Sequence, residues 1–332
     1  MGYKFTVVGD LHIASRQIGA RKDDYLTSVA EKLTQVLQIS VKNKVDGIIL
    51  TGDIFHDKDE SRISTEATIL FSKFVRVAES RSIHIYSVVG NHDIKYHDLD
   101  ISNRLLGLLS STHKNFTLVS RDKVELSKEF KLTITGTDYT FHGDEGPIES
   151  RVQYFPEKQD TDFHIHVTHG SQLSEMDSSL PDFVDITRSE DILRNNPSWD
   201  ININGHIHNP STKFISLSSK WILNPGSLTR VSGSKSEITR DIEVAILTIP
   251  APHSCQAELI KLNIKPAEQV FDVNSKIDDM QDLDSINEFL DSLSVTSSAK
   301  SSNGEIKIMI QKSVAEEEVK ARAIEYVDKL DL

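Results

Sequence analysis

Apolar runs that end in a glycine turn bearing a metal-ligand side chain recur five times in this 332-residue chain, and they limit its fold more than any other feature. They are Val7-Val8-Gly9-Asp10-Leu11-His12, Ile49-Leu50-Thr51-Gly52-Asp53-Ile54-Phe55-His56, Val88-Val89-Gly90-Asn91-His92-Asp93, Val167-Thr168-His169-Gly170 and Ile203-Asn204-Gly205-His206-Ile207-His208. A strand delivers its last residue to one edge of a sheet, and glycine lets the chain bend sharply there. Helical stretches separate the first three runs. Leu26, Val29, Ala30, Leu33, Val36 and Leu37 recur at helical spacing within residues 23–44, and a second helix is expected over 65–79. Strand, turn and helix repeated in this order predict an α/β fold, with functional groups gathered beyond the carboxyl ends of the strands.

The strands that carry the motifs are expected at residues 5–8, 47–50, 83–89, 163–167 and 200–204. Between about 213 and 264 the pattern changes to short β runs, including 243–249 and 258–264, which predict a second sheet closing a sandwich. Beyond Pro266 a smaller α+β unit is expected: strand 270–273, helix 283–293, a Ser/Thr-rich turn at 295–303, strand 306–310 and helix 315–330. The expected division is therefore 1–265 and 266–332. No internal repeat at solenoid spacing is present.

Composition narrows the function classes. With 37 Lys and Arg against 50 Asp and Glu, the formal charge is −13, opposite in sign to that of a typical free-standing nucleic-acid binder. Tight unaided DNA binding is not expected. Divalent ions and a local basic rim can nevertheless draw phosphate into an acidic surface. The single cysteine, Cys255, excludes an intrachain disulfide, reads as structural and fits a reducing cytoplasmic setting. The sequence has no apolar run long enough to span a membrane, so a soluble chain is expected. Met1-Gly2 with Thr6 matches the short myristoylation pattern, but residues 5–8 read as core strand and acylation is set aside.

The chemistry resides in Asp10, His12, Asp53, Asn91, His169, His206 and His208. Mixed carboxylate, amide and imidazole ligands suit manganese, iron or zinc. Converging strand ends assign Asp10, His12, Asp53 and His208 to one ion and Asp53, Asn91, His169 and His206 to another, with Asp53 bridging. His206 and His208 alternate on what reads as an extended stretch, which would point both the same way. Two ions about 3.5–4 Å apart lower the pKa of a shared water and clamp a phosphate for in-line displacement. His92, beside Asn91, is the candidate to protonate the leaving oxygen or stabilise charge there. His84, His164 and His166 read as strand residues, and His97, His113, His142 and His253 as surface or loop residues. A phosphate-binding Gly-x-x-x-x-Gly-Lys-Ser/Thr loop, a Gly-x-Ser-x-Gly elbow and a Cys-x-x-Cys pair are all missing from the sequence.

The five motifs resemble those of the calcineurin-like metallophosphoesterase superfamily, and Gly52-Asp53-Ile54-Phe55-His56 looks like its DNA-repair branch, the SbcD-type nucleases. In that branch a histidine follows the bridging aspartate by three residues, as His56 does here; serine/threonine phosphatases place an arginine shortly after theirs and end the next motif in Glu rather than Asp93. Asn224-Pro225-Gly226-Ser227-Leu228 and the strand-helix-strand-helix tail are also similar. The resemblance implies a four-layer α-β-β-α sandwich with a C-terminal DNA-capping domain, two divalent ions, expected to be manganese, and exonuclease and endonuclease activity on DNA. It further implies a homodimer and an SbcC-type coiled-coil ATPase partner. His56 would then position DNA or water near Asp53. Ile13-Ala14 departs from the Leu-Gly of many relatives, so the DNA-contacting loop through Arg16, Arg21 and Lys22 would be shaped differently. Lys58, Arg62, Lys95, Arg104, Lys213, Arg230 and Lys235 complete a candidate phosphate-contacting rim. A phosphoesterase of the same fold acting on a nucleotide, lipid precursor or phosphoprotein, and a DNA-end tether with incidental hydrolysis, are the alternatives.

Overall fold

Alternation along β1 (Tyr3–Val8) sets the layering of the molecule. The computed structural model describes residues 2–19, 21–94, 104–139, 160–174, 187–210, 212–217, 219–271 and 324. Within it Tyr3, Phe5 and Val7 enter one apolar cluster, whereas Val8 enters another on the opposite face. Thr6 shares Val8's side and bonds its hydroxyl to Ser40 at 2.8 Å. The period of two continues in β2 (Gly47–Leu50) and β3 (His84–Ser87). Ile49 and Tyr86 join the first cluster, and Ile48, Leu50 and Ile85 the second.

The first sheet has the order β14-β13-β1-β2-β3-β4, with β4 at Phe116–Leu118, β13 at Glu243–Ala251 and β14 at Ser254–Lys261. Strands β1 to β4 are parallel, while β13 runs antiparallel to β1 with Thr6 opposite Ile246. The second sheet has the order β11-β12-β10-β7-β6-β5. Its strands are β5 (Val124–Ser127), β6 (Lys131–Thr137), β7 (Phe163–His169), β10 (Ile201–Gly205), β11 (Phe214–Leu217) and β12 (Lys220–Leu223), and the four central ones are parallel. A short parallel pair, β8 (Gln172–Leu173) and β9 (Thr187–Arg188), stands apart.

Phe5, Ile49, Leu132, Phe163, Ile165, Ile203 and Leu247 fill the space between the sheets. Helix α1 (Tyr25–Asn43) and helix α2 (Thr65–Ser80) cover the outer face of the first sheet. Asp24 caps α1 by accepting from Thr27 N at 2.6 Å, and Ser64 caps α2 by accepting from Ala67 N at 3.2 Å, so each helix start has a partner for a backbone donor. Helix α3 (Leu105–Thr112) joins the same layer. Helix α4 (Ser189–Asn195) packs Ile192 and Leu193 with Trp199 against Ile222 on the other side of the second sheet. The layers are helix, sheet, sheet, helix, the mixed α/β sandwich expected from the motifs.

Two strand assignments differ from the sequence expectation. Residues 243–261 do not close the second sheet; the β13–β14 hairpin completes the first one beside β1. Val244 and Ile246 face the helices while Ala245, Leu247 and Ile249 face the other sheet, and a strand apolar on both faces belongs inside a covered sheet. The second sheet comes instead from the middle of the chain, including β5 and β6, plus the β11–β12 hairpin. After the short helix α5 (Lys235–Thr239), residues expected to open a strand at 270 form helix α6 (Ala267–Val270), and Phe271 makes an isolated antiparallel bridge to Arg21. Apart from Ile324, which is helical, the rest of the expected C-terminal unit lies outside the described residues. Among the described residues, no helix is long and apolar enough to cross a membrane.

Ile49 is fully buried between the sheets. Ile49→Ala is expected to lower unfolding free energy by about 2–5 kcal/mol in a denaturant titration, the cost of a partly collapsed core cavity.

Candidate metal centre

Parallel strands from both sheets end at one place, and unusual backbone geometry turns their side chains inward. His12, Asp53 and His206 have φ of 47°, 48° and 78°, left-handed values rare outside glycine, and Gly52 before Asp53 has φ 100°. Such turns persist only where neighbours hold them. Here Leu11 N and His12 N both donate to Asp53 O, at 3.0 and 2.9 Å, and Ile13 N donates to Ile54 O at 2.9 Å. The loop at 224–228 braces the same edge, since Leu228 N and Ser227 Oγ each donate to Asp10 O at 3.1 Å.

Four of the proposed ligands, Asp10, His12, Asp53 and His208, bring donor atoms within 4.8 Å of one another. His12 Nε2 lies 2.9 Å from His208 Nε2 and 3.6 Å from Asp53 Oδ2, and His208 Nε2 lies 3.6 Å from Asp10 Oδ2. Two imidazole nitrogens meeting head-on beside two carboxylates form a donor set suited to a divalent cation. On the other side of Asp53, its Oδ2 is 3.4 Å from His169 Nε2. Asn91 Oδ1 is 3.0 Å from both His169 Nε2 and His206 Nδ1. Thus Asp53 stands between two donor groups, and all seven proposed ligands converge. His206 and His208 reach this place by a different route from the extended stretch expected: they follow β10 in a left-handed turn, and their rings serve opposite sides of the centre.

Hydrogen bonds aim the ligands. His169 Nδ1 pairs with Thr51 O at 2.7 Å, which turns Nε2 inward. Asp10 Oδ1 accepts from Thr51 Oγ1 at 2.9 Å, and Oδ2 accepts from His206 N at 3.0 Å. Electrostatics divide the imidazoles. Burial drives His12 well below its ordinary value, His206 to about 3 and His208 to about 4. Burial also opposes charge on His169, but the carboxylates of Asp53 and Asp10 outweigh it and raise that ring to about 10. Asp53 is correspondingly held well below the carboxylate range, burial being overcome by His169 and His92.

His92 and His56 lie together beside this set. His92 N donates to Asp53 Oδ1 at 2.8 Å, and the ring packs edge-on to His12 with centroids 4.7 Å apart. The His92 Nδ1–H donates to the His56 carbonyl, which leaves Nε2 as the ring's open nitrogen. Together with His12 these two form a second cluster of close ligand atoms. Asp93 ended a motif but had no role in the sequence reading. Its Oδ2 accepts from Gly90 N at 2.9 Å and its Oδ1 from Ile54 N at 3.0 Å, so it ties the loop of Asn91 to that of Asp53. Burial and the nearby Asp53 carboxylate push Asp93 up to about 7.

The basic rim is smaller than the sequence suggested. Arg21 and Arg230 are buried rather than part of an exposed rim. Arg21 forms a bidentate pair with Asp23 at 2.8 and 2.9 Å, and its third arm donates to Arg230 O at 2.9 Å. Lys213 is engaged by Glu243. Arg16 pairs with Asp57 at 2.9 Å yet keeps its side chain 48% exposed, and Lys22, Lys58 and Arg62 are exposed. Arg104 precedes α3, half-buried, while Lys95 and the side chain of Lys235 lie outside the described residues. His164 and His166 are buried in β7 and bond to Thr135, with His166 also bonding to Thr137. His166 stacks on Trp199 with ring centroids 3.7 Å apart.

The profile of the calcineurin-like phosphoesterase family matches residues 3–210. Among solved structures, the chain is similar to a Staphylococcus aureus protein assigned as a 5′-nucleotidase, at 15% identity and TM-score 0.51, over 88% of this chain and 59% of that one. It is also similar to a dimetal phosphatase from Danio rerio, at 13% identity and TM-score 0.45, over 79% of this chain and 99% of that one. A Thermus thermophilus protein matches at 14% identity and TM-score 0.48, over 78% and 99% of the two chains. At such identity the likeness to the Staphylococcus aureus protein bears on the fold alone, and the weaker likeness to the other two bears on neither fold nor function.

Two outcomes follow from the geometry. A Cβ on Gly205 would lie 2.6 Å from Asp10 Oδ1 and 2.5 Å from Thr51 Oγ1. Gly205→Ala is therefore expected to weaken metal affinity by roughly 10–100-fold, the range for disturbed support of a ligand, with circular dichroism unchanged. Because His169 is cationic at neutral pH without metal and must be neutral to ligate, metal binding should release about one proton near pH 7.5. Affinity should then rise with pH. Calorimetry in two buffers of different ionisation enthalpy measures that proton, and buffer-independent heats would contradict the assignment.

Proposed function

The chain belongs to the calcineurin-like phosphoesterase family, whose chemistry is metal-dependent phosphoester hydrolysis, and on that premise we propose that this chain is a two-metal DNA nuclease of the SbcD type. One ion would be held by Asp10, His12, Asp53 and His208 and the other by Asp53, Asn91, His169 and His206. When bound, a pair of manganese ions supplies Lewis acidity toward phosphoryl oxygens and an activated water. The chain's own residues do the rest. Asp53 fixes the spacing of the two ligand sets, and the hydrogen bond from His169 to Thr51 O keeps the coordinating nitrogen inward. In its doubly protonated form, with Nδ1–H held by the His56 carbonyl, His92 would hand the Nε2 proton to the leaving oxygen.

The observation that carries the nuclease reading over other phosphoesterases is the junction of His56 with His92. The side chain that marks the DNA-repair branch in sequence packs its ring 5.2 Å from that of His92, the residue best placed to act on the leaving group, and 5.4 Å from that of His12. Arg16, Lys22, Lys58 and Arg62 would contact strand phosphates. With a net charge of −13, the isolated chain should bind DNA modestly and lose affinity as salt is added. Homodimerisation, an SbcC-type ATPase partner, a cytoplasmic setting and a DNA-capping role for residues 266–332 belong to the same proposal.

The deciding assay incubates the purified chain and manganese with end-labelled duplex and single-stranded DNA, beside bis-nitrophenyl phosphate and a chelator control. Chelator-sensitive DNA cleavage is expected. Hydrolysis of the small ester with intact DNA would point to the nucleotide-class alternative. His92→Ala should keep its metal and lose activity by roughly 10²–10⁴-fold, the usual contribution of a general acid, and near-normal turnover would remove His92 from the mechanism.

A further inference from the structure

Lys32 occupies the apolar stripe of α1, between Val29 and Val36, and is only 4% exposed. Among the described residues it has neither a hydrogen-bond nor an ion-pair partner. Three further cations are buried around it. Arg21 is satisfied by Asp23, and Arg240 by Glu237 together with the Ser227 and Thr229 carbonyls. Arg230 is different, because it donates to Arg240 O at 2.8 Å, has no carboxylate partner among the described residues, and keeps its Nε buried without an acceptor. Arg21 and Arg240 thus have carboxylate partners, whereas among the described residues Lys32 and Arg230 have none in contact; Glu237 and Asp241 act on Arg230 only at longer range. Burial and the guanidiniums of Arg21, Arg240 and Arg230 push Lys32 down to about 7.

Lys32, Arg230, Arg21, Gln35 and Lys265 line a cleft here, with Glu31 as its one carboxylate among the described residues. No proposed metal ligand lines it. Holding two largely buried cations with no carboxylate in contact is costly, and an anion in the cleft lowers that cost. We infer that this cleft is a binding site for a small oxyanion of the phosphate class, met by the Lys32 ammonium with the Arg230 guanidinium beside it. A tetrahedral anion with several acceptor oxygens matches the pairing of a point-charge ammonium with a guanidinium better than a planar carboxylate does. The ligand could be inorganic phosphate, a nucleoside monophosphate or the terminal phosphate of a strand. The inference is independent of the proposed nuclease activity, since it needs neither metal nor catalysis.

The test is equilibrium dialysis of radiolabelled inorganic phosphate against the full chain, with and without chelator. The metal centre can also hold phosphate, so the cleft is identified as the site that survives chelation. About one phosphate per chain is expected there, and Lys32→Met should weaken it at least tenfold while leaving chelator-sensitive binding unchanged. Competition by a nucleoside monophosphate or by a 5′-phosphorylated oligonucleotide, but not by its unphosphorylated counterpart, would assign the source; competition by neither would assign free phosphate. Thermal unfolding of the chelated wild-type chain gives a readout that needs no variant: the midpoint should rise with phosphate and not with chloride at equal ionic strength. Chelation-proof binding that is missing, or that Lys32→Met leaves intact, or a midpoint indifferent to phosphate, overturns the inference.

Discussion

The left-handed turn at Gly52-Asp53 is the constraint on which the rest of the centre depends. It places one carboxylate and one carbonyl of Asp53 where three strand-end loops can use them. The carbonyl takes Leu11 N and His12 N, while the carboxylate takes His92 N and faces His12 and His169. Gly90 comes so close that a Cβ there would lie 2.1 Å from Asp53 Oδ1. Non-glycine residues in such geometry cost on the order of 1–3 kcal/mol each. The surrounding sheets must supply that energy, which gives the large inter-sheet core a purpose beyond stability.

The same arrangement makes the centre electrostatically uneven before any cation arrives. His206 and His208 are neutral because they are buried, whereas His169 carries a proton because it stands between Asp53 and Asp10. The charge that a divalent ion would bring is partly anticipated by that proton. Asp10 is already oriented by Thr51 Oγ1 and His206 N and Asp53 by His92 N, so the main change on binding is loss of the His169 proton.

Much of this was legible in the sequence because the ligands sit where strands must end. Strand termini are local signals, and five of them in one order are hard to produce by chance. What escaped depends on partners distant in sequence. Val244, Ile246 and their neighbours announce a strand covered on both faces, but nothing local says that the neighbour is β1. Arg21 and Arg230 read as exposed cations because their burial follows from tertiary packing, even though Asp23 is only two residues from Arg21. His206 φ follows from a backbone bond to Asp10, invisible in a Gly-x-His reading. Lys32 is the counter-example: its place on the α1 stripe was readable from spacing, but a lysine between Val29 and Val36 passes easily for a solvated residue.

The pairing of β1 with β13 has a bearing on how the protein is made. The first strand of the chain is central in its sheet, yet one of its two neighbours lies some 240 residues later, with Thr6 opposite Ile246. While the chain emerges from a ribosome, β1 therefore waits with one apolar edge open until nearly the whole catalytic unit has been synthesised. Long-range closure of this kind slows folding, and an open apolar edge invites pairing with other nascent chains. The need for protection during synthesis is thus written into the topology by the same hairpin that finishes the sheet.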